Sequence, residues 1–221
     1  MEREETIGII GAMDVEIEGF AGAMTDAARS DSFGSEVITG MRGSQRLVVV
    51  KSGIGKVNAG FAAQMLVTRF GATRIYMTGI AGALCKGLRA LDLFVPDKFV
   101  QYDVIMPGEA DGYMDILGGN FVLPDKRMAD ALANRTGAIR GTMATGERFV
   151  ETAEDKADIL RRFPSVMAAD MESGAVAQVC ARMRVPMACV KVISDAGDSM
   201  EYDKFKLLAA EKSVRAVLSV L

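Results

Sequence analysis

Ile7-Gly8-Ile9-Ile10 is an unbroken apolar run that passes through Gly11-Ala12 into Met13-Asp14-Val15-Glu16. Unbroken rather than alternating hydrophobicity marks a strand covered on both faces. Runs of the same kind lie at 47–50, 75–77, 93–95, 138–144, 166–169 and 187–193. Residues 36–39 are expected to pair with 47–50 across a Met41-Arg42-Gly43-Ser44 turn.

Helical patterns separate these runs. Val57, Phe61, Met65 and Leu66 recur at helical spacing between Gly55 and Gly71. Asp125 can cap a helix that ends at Gly137. Thr152 with Asp155 forms a capping-box pattern ahead of a helix that stops before Pro164. Ala175, Val176, Val179 and Cys180 make a third stripe. Phe205, Leu207, Leu208, Val214, Val217 and Leu218 make a C-terminal one. Strand–helix alternation predicts an α/β fold with a largely parallel or mixed sheet, formed by one domain over residues 1–221. The Gly-rich segment 107–120 reads as a long loop.

Composition narrows the chemistry. Histidine is absent, which excludes a Ser-His-Asp triad and His-ligated zinc. Acid–base work then falls to carboxylates, Lys, Tyr or Cys. Cys85, Cys180 and Cys189 are scattered and odd in number, so neither a disulfide framework nor a metal site is expected. A reduced, cytoplasmic setting is the expectation, with an acidic start, Met1-Glu2-Arg3-Glu4-Glu5, where a signal peptide would be basic. A net charge of −3 without a basic tract gives no support to a nucleic-acid partner. No apolar run approaches the ~20 residues of a membrane span.

Ligands of open α/β sheets bind beyond the carboxyl ends of the strands. The residues that follow the apolar runs include Asp14 and Glu16, Ser52-Gly53-Ile54-Gly55, Thr78-Gly79-Ile80-Ala81-Gly82, 145–150, Asp170-Met171-Glu172 and Ser194-Asp195. Carboxylates and glycines gather where a site belongs. Spacing alone leaves each carboxylate a plain alternative. Asp14, Glu16 and Glu18 fit a solvated first helical turn, Asp170 and Glu172 a helix start, and Asp195 and Asp198 a turn around Gly197. No Walker-type phosphate loop is present, and Gly53-x-Gly55 with Gly60 is not a dinucleotide fingerprint.

The segments 8–16, 51–59, Thr78-Gly79-Ile80-Ala81-Gly82, Ala169-Asp170-Met171-Glu172 and Val192-Ile193-Ser194-Asp195 resemble, in order, the signatures of 5'-methylthioadenosine/S-adenosylhomocysteine nucleosidases. The resemblance implies the nucleoside phosphorylase-like fold, a central mixed, partly closed sheet surrounded by helices. It implies a purine nucleoside as small-molecule partner and no cofactor. It also implies a homodimer in which the neighbouring subunit completes the 5' pocket, with segment 104–107 as the candidate contribution.

Carried over by position, Glu16 matches the carboxylate that activates water, and Asp195 the acid that protonates purine N7. Glu172 matches the ribose-hydroxyl acceptor, with Met171 packed against the sugar. Phe149 matches the ring stacked on adenine, and Val150 the backbone that reads the base edge. Tyr202 falls near an aromatic on the sugar side, and Met13 and Ile54 complete the expected binding set. Asp14, Glu18, Asp170 and Asp198 are assigned structural roles, and Lys51 and Lys56 surface ion pairs.

Those residue types suit glycosidic cleavage. Positive charge builds on the sugar and negative charge on the base, so one carboxyl must donate to the base and another must activate water. The acidic first loop would repel phosphate and suits water. The match departs at Ile80, where the family usually has Ser, and at Lys191, where it usually has Arg, losing the planar fork. The stretch Gln101-Tyr102-Asp103 lacks a histidine usual there. Competing readings are a nucleosidase for another purine nucleoside such as 6-amino-6-deoxyfutalosine, a phosphorylase, a non-catalytic nucleoside-binding protein, and an NAD-dependent dehydrogenase.

Overall fold

The computed structural model describes residues 5–195 and 199–221. Eleven strands are β1 (Thr6–Gly11), β2 (Thr25–Ser32), β3 (Ser35–Arg42), β4 (Gln45–Lys51), β5 (Arg74–Met77), β6 (Ile80–Ala83), β7 (Leu93–Gln101), β8 (Ile139–Thr145), β9 (Val166–Asp170), β10 (Met187–Cys189) and β11 (Lys191–Asp195) among the described residues. Six helices, α1 (Asp14–Ala21), α2 (Lys56–Thr68), α3 (Lys126–Thr136), α4 (Ala153–Arg162), α5 (Ser173–Met183) and α6 (Ser199–Leu218), surround them. The mixed, partly closed sheet takes the form of a six-stranded sheet, β10-β5-β1-β4-β3-β2, and a five-stranded closed barrel, β11-β6-β9-β8-β7.

β1 pairs parallel with both β4 and β5, so it lies inside the sheet. Its residues alternate between two cores. Ile10 joins α2 and α5 residues such as Leu66 and Val176. Ile7 and Ile9 join Phe20 of α1, Leu132 of α3 and Val217 of α6. Two covered faces explain the unbroken apolar run. The expected hairpin is present, with Val37 opposite Val50 and Thr39 opposite Val48. The Asp125 cap and the Thr152/Asp155 capping box also form as read.

Four readings need correction. The run 187–193 is two strands: β10 pairs with β5 in the sheet, and β11 pairs with β6 in the barrel. The chain crosses at Val190, whose N–H still donates to Met77 O at 2.9 Å. Ile80, read only as following the apolar run at 75–77, opens a strand of its own, β6. Val57 and Phe61 face outward on α2, while Ala59, Ala62, Ala63, Met65 and Leu66 make its buried face. Leu207 and Leu208 are likewise exposed on α6. Strand β2 was not foreseen: it is an edge paired with β3 and exposed over most of its length, so it carries no apolar signal. Asp198 lies outside the described residues.

The double crossing builds the site. β5 leads to β6 through Thr78-Gly79, and β10 leads to β11 through Val190, side by side and parallel. Gly79 adopts φ 139°, a region that side chains disfavour. A Cβ there would collide with Oε1 of Glu16 and lie 3.1 Å from Nζ of Lys191. Gly79→Ala therefore pushes a buried carboxylate out of place. We expect about a 10- to 100-fold fall in turnover from such a displacement, measured by steady-state kinetics beside a thermal melt.

Candidate active site

Glu16 is in the first turn of α1 and is 1% exposed. Its Oε2 accepts from the Ala12 N–H at 2.6 Å and the Met13 N–H at 3.0 Å, and its Oε1 accepts from the Ile80 N–H at 3.0 Å. A carboxylate offers about four acceptor positions, so three backbone donors leave room for one more hydrogen bond. The solvated-turn alternative holds for its neighbours instead. Asp14 pairs with Lys51 at 2.6 Å, and Glu18 with Arg29 at 2.7 Å, both on the surface. The Lys51 hydrogen bond holds the Asp14 carboxyl below the usual range. Lys56 forms the other foreseen local pair, 2.6 Å from Asp103.

Glu172 stands at the residue before α5, and its side chain accepts from the Gly55 N–H at 3.0 Å. Asp170, at the end of β9, accepts from the Thr145 hydroxyl at 2.7 Å and from Ser173 N–H and O–H at 3.1 and 3.0 Å. Between them lies Lys191, its Nζ 3.2 Å from Asp170 and 3.7 Å from Glu172, with its side chain 1% exposed. Burial alone lowers a lysine pKa. Here the carboxylates of Asp170, Glu172 and Glu16 outweigh it and hold the ammonium above its usual range. Burial pushes the Glu172 carboxyl up to about 7, against the pull of Lys191.

Asp195 ends β11, is 3% exposed, and accepts from the Ser194 hydroxyl at 2.6 Å. Its register partner on β6 is Gly82, two residues beyond the Ile80 that holds Glu16. At strand pitch the two β6 positions are about 7 Å apart along the backbone.

One cavity collects the expected set. Glu16, Glu172 and Asp195 line it with Met13, Ile54 and Ile80, and so do Phe149, Val150, Met171 and Tyr202. Lys191 does not line it and stands behind the carboxylates. The Phe149 ring meets Tyr202 edge-on, centroids 5.7 Å apart, and Tyr202 Oη points at Met13 sulfur at 3.8 Å. Segment 104–107 is not among the lining residues, and its Ile105 is exposed. The sequence reading missed Gly79, Lys156 and the buried Asp170–Lys191 pair. Only the φ demanded of Gly79 has a signal in sequence, its place just after an apolar run. Cys180 and Cys189 are buried, and burial raises both thiols above their usual range.

Residues 6–221 match the family model described as phosphorylase superfamily. The 5'-methylthioadenosine/S-adenosylhomocysteine nucleosidase of Actinobacillus succinogenes is 34% identical over 224 residues, covering 97% of either chain. The chain belongs to this nucleosidase family. Its fold agrees with that of the nucleosidase from Neisseria meningitidis, solved with methylthio-immucillin-A, at TM-score 0.93, 30% identity and 98% coverage of both chains. Futalosine hydrolase of Helicobacter pylori superposes with TM-score 0.92 at 27% identity, covering 100% of this chain and 98% of that one. Within the nucleosidase family this chain is an N-glycosyl hydrolase.

Proposed function

We propose that the chain hydrolyses the N-glycosidic bond of 5'-substituted adenine nucleosides, 5'-methylthioadenosine and S-adenosylhomocysteine, giving adenine and the 5-thioribose. The observation that carries this is that Glu16 and Asp195 meet β6 two residues apart, at Ile80 and Gly82, and line one cavity together with Glu172.

Glu16 takes a proton from water. Its backbone donors fix the carboxylate in place, and one acceptor site is left for the water. Asp195 donates a proton to N7, so the C1'–N9 electron pair enters a neutralised purine. Glu172 accepts from the ribose hydroxyls in its carboxylate form, held by the Gly55 N–H with Lys191 beside it. Phe149 stacks on the base, Val150 reads its edge through the backbone, and Met171 packs on the sugar. Met13, Ile54 and Tyr202 cover the 5' side.

Phosphate fits poorly here. Lys191 is already neutralised by Asp170 and Glu172, and Ile80 offers an apolar side chain beside Glu16. The test is adenine release from 5'-methylthioadenosine in phosphate-free buffer and with phosphate added. Equal release in both supports hydrolysis; strict phosphate dependence overturns it. The fold similarity to futalosine hydrolase supports a second reading, a nucleosidase for 6-amino-6-deoxyfutalosine, which the same assay ranks by kcat/KM.

Ribose anchoring should follow pH. The Glu172 pKa is raised to about 7, so the full carboxylate is present above that value and is lost as pH falls through it. Affinity for a non-hydrolysable 5'-methylthioadenosine analogue should fall towards tenfold per pH unit below that point, measured by calorimetry. Glu172→Gln should flatten the profile; an unchanged profile contradicts the role.

The 5' pocket is completed in a homodimer on this reading. Val57 and Phe61 expose apolar surface on α2, which follows the rim residue Ile54, Phe33 meets Phe61 edge-on, and Ile105 and Met106 are exposed on segment 104–107. Met106→Asp should lower kcat/KM for 5'-methylthioadenosine about tenfold more than for adenosine, the cost of spoiling an apolar contact of one or two carbons. Equal losses refute the assignment, and sedimentation reports the oligomer directly.

A further inference from the structure

Three cations stand at this cavity, and two are spoken for. Lys191 is held by Asp170 and Glu172. Arg148 lines the rim and pairs with Asp155 at 2.8 Å. Lys156 also lines the cavity, and its ammonium has no ion pair or side-chain hydrogen bond among the described residues.

Its position follows from α4. Ile159 and Leu160, three and four residues on, pack with Leu84, Val150 and Ala169. Residues at that spacing share a helix face. Lys156 therefore overhangs the Leu84 and Val150 end of the cavity. Along β6 and just beyond it, Ile80 holds Glu16, Gly82 faces Asp195, and Leu84 meets the α4 cluster. The order along the cavity is thus the water-activating carboxylate, the acid, and then the lysine.

A purine with N7 at Asp195 turns its pyrimidine ring towards the far end. That ring carries nitrogen acceptors, N1 and N3 in adenine. When the C1'–N9 bond breaks, the electron pair goes to the purine, and Asp195 supplies one proton to N7. Apart from the paired Arg148 at the rim, the charged side chains lining the cavity beside Lys156 are acidic, Glu16, Asp170, Glu172 and Asp195, and Ile80, Leu84 and Phe149 add apolar surface. A fixed cation opposing charge that grows only in the transition state accelerates the chemical step.

We propose that Lys156 is a second donor to the departing base, hydrogen-bonding a ring nitrogen of its pyrimidine edge while keeping its own protons. The inference rests on the nucleosidase reading and adds a leaving-group residue to it.

The test is a chemical double cycle. Wild type, Lys156→Leu and Lys156→Arg are assayed with 5'-methylthioadenosine and with its 1-deaza and 3-deaza analogues, in which C–H replaces one acceptor. Lys156→Leu should lower kcat for 5'-methylthioadenosine about ten- to hundredfold with little change in KM, as for loss of a charge-assisted hydrogen bond, and Lys156→Arg should restore part of it. For one deaza analogue the leucine variant should lose far less relative to wild type, because the acceptor is already gone. Wild-type rates in Lys156→Leu, or the same factor lost on all three substrates, overturn the proposal. If wild type releases no adenine at all, the nucleosidase reading has failed on its own. Calorimetry with free adenine then decides Lys156: weaker binding by Lys156→Leu supports the contact, and equal binding rejects it.

Discussion

Asp195→Asn should cut kcat by about 10²- to 10⁴-fold, the usual worth of a placed general acid, while ligand affinity stays within a few-fold. Asn has nearly the shape of Asp and can still accept from the Ser194 hydroxyl, which lies 2.6 Å from the carboxylate. What it lacks is a proton to give. The purine must then leave as an anion inside a wall of carboxylates, which is the step the acid exists to avoid. Steady-state kinetics gives kcat, and calorimetry with a transition-state analogue gives the affinity. Near wild-type turnover removes Asp195 from the mechanism. Loss of binding with loss of turnover makes it a scaffold residue instead.

Lys191→Met should have the largest effect on stability. It leaves Asp170 and Glu172 buried around a methionine, with Glu16 nearby. Breaking a buried ion pair from one side costs about 3–5 kcal/mol. In a chain of this size that corresponds to a fall in Tm of about 10 °C. The loss should shrink at low pH. Without the ammonium, nothing offsets the burial that already raises the Glu172 carboxyl above its usual range. Its protonated form then favours the fold at low pH, and that support disappears as pH rises through the folded pKa. Melts of wild type and variant across acidic and neutral pH measure the gap. A gap independent of pH, or a variant as stable as wild type, contradicts the buried-cluster account.

What was legible in the sequence was whatever a local pattern could encode. The unbroken run at 7–10 gave a strand with two covered faces, and two separate cores do cover it. The Asp125 and Thr152 caps were read from three-residue spacings and formed. Positions at strand ends pointed to Glu16, Glu172 and Asp195, and the family resemblance supplied roles that spacing could not. The failures were non-local. Nothing local marks Val190 as the point where one apolar run leaves a sheet and enters a barrel. Strand β2 is held by its pairing with β3 rather than by burial, so it has no apolar signature. On α2 the small residues Ala59, Ala62 and Ala63 take the inner face because the helix lies close on its neighbours, and the larger Val57 and Phe61 are left outside. Lys156 lies in a charged stretch, Glu154-Asp155-Lys156, that reads as a solvated helix surface until Leu84 and Val150 are seen beneath it.

On the proposed mechanism, water activated by Glu16 attacks the sugar. The most direct measurement is turnover of 5'-methylthioadenosine in isotope-labelled water with phosphate present, followed by mass spectrometry of the sugar. Wild type should give free 5-methylthioribose with labelled oxygen on C1 and no sugar 1-phosphate, and Glu16→Gln should give almost no product. A sugar 1-phosphate carrying no label, or labelled product at the wild-type rate from Glu16→Gln, would contradict it.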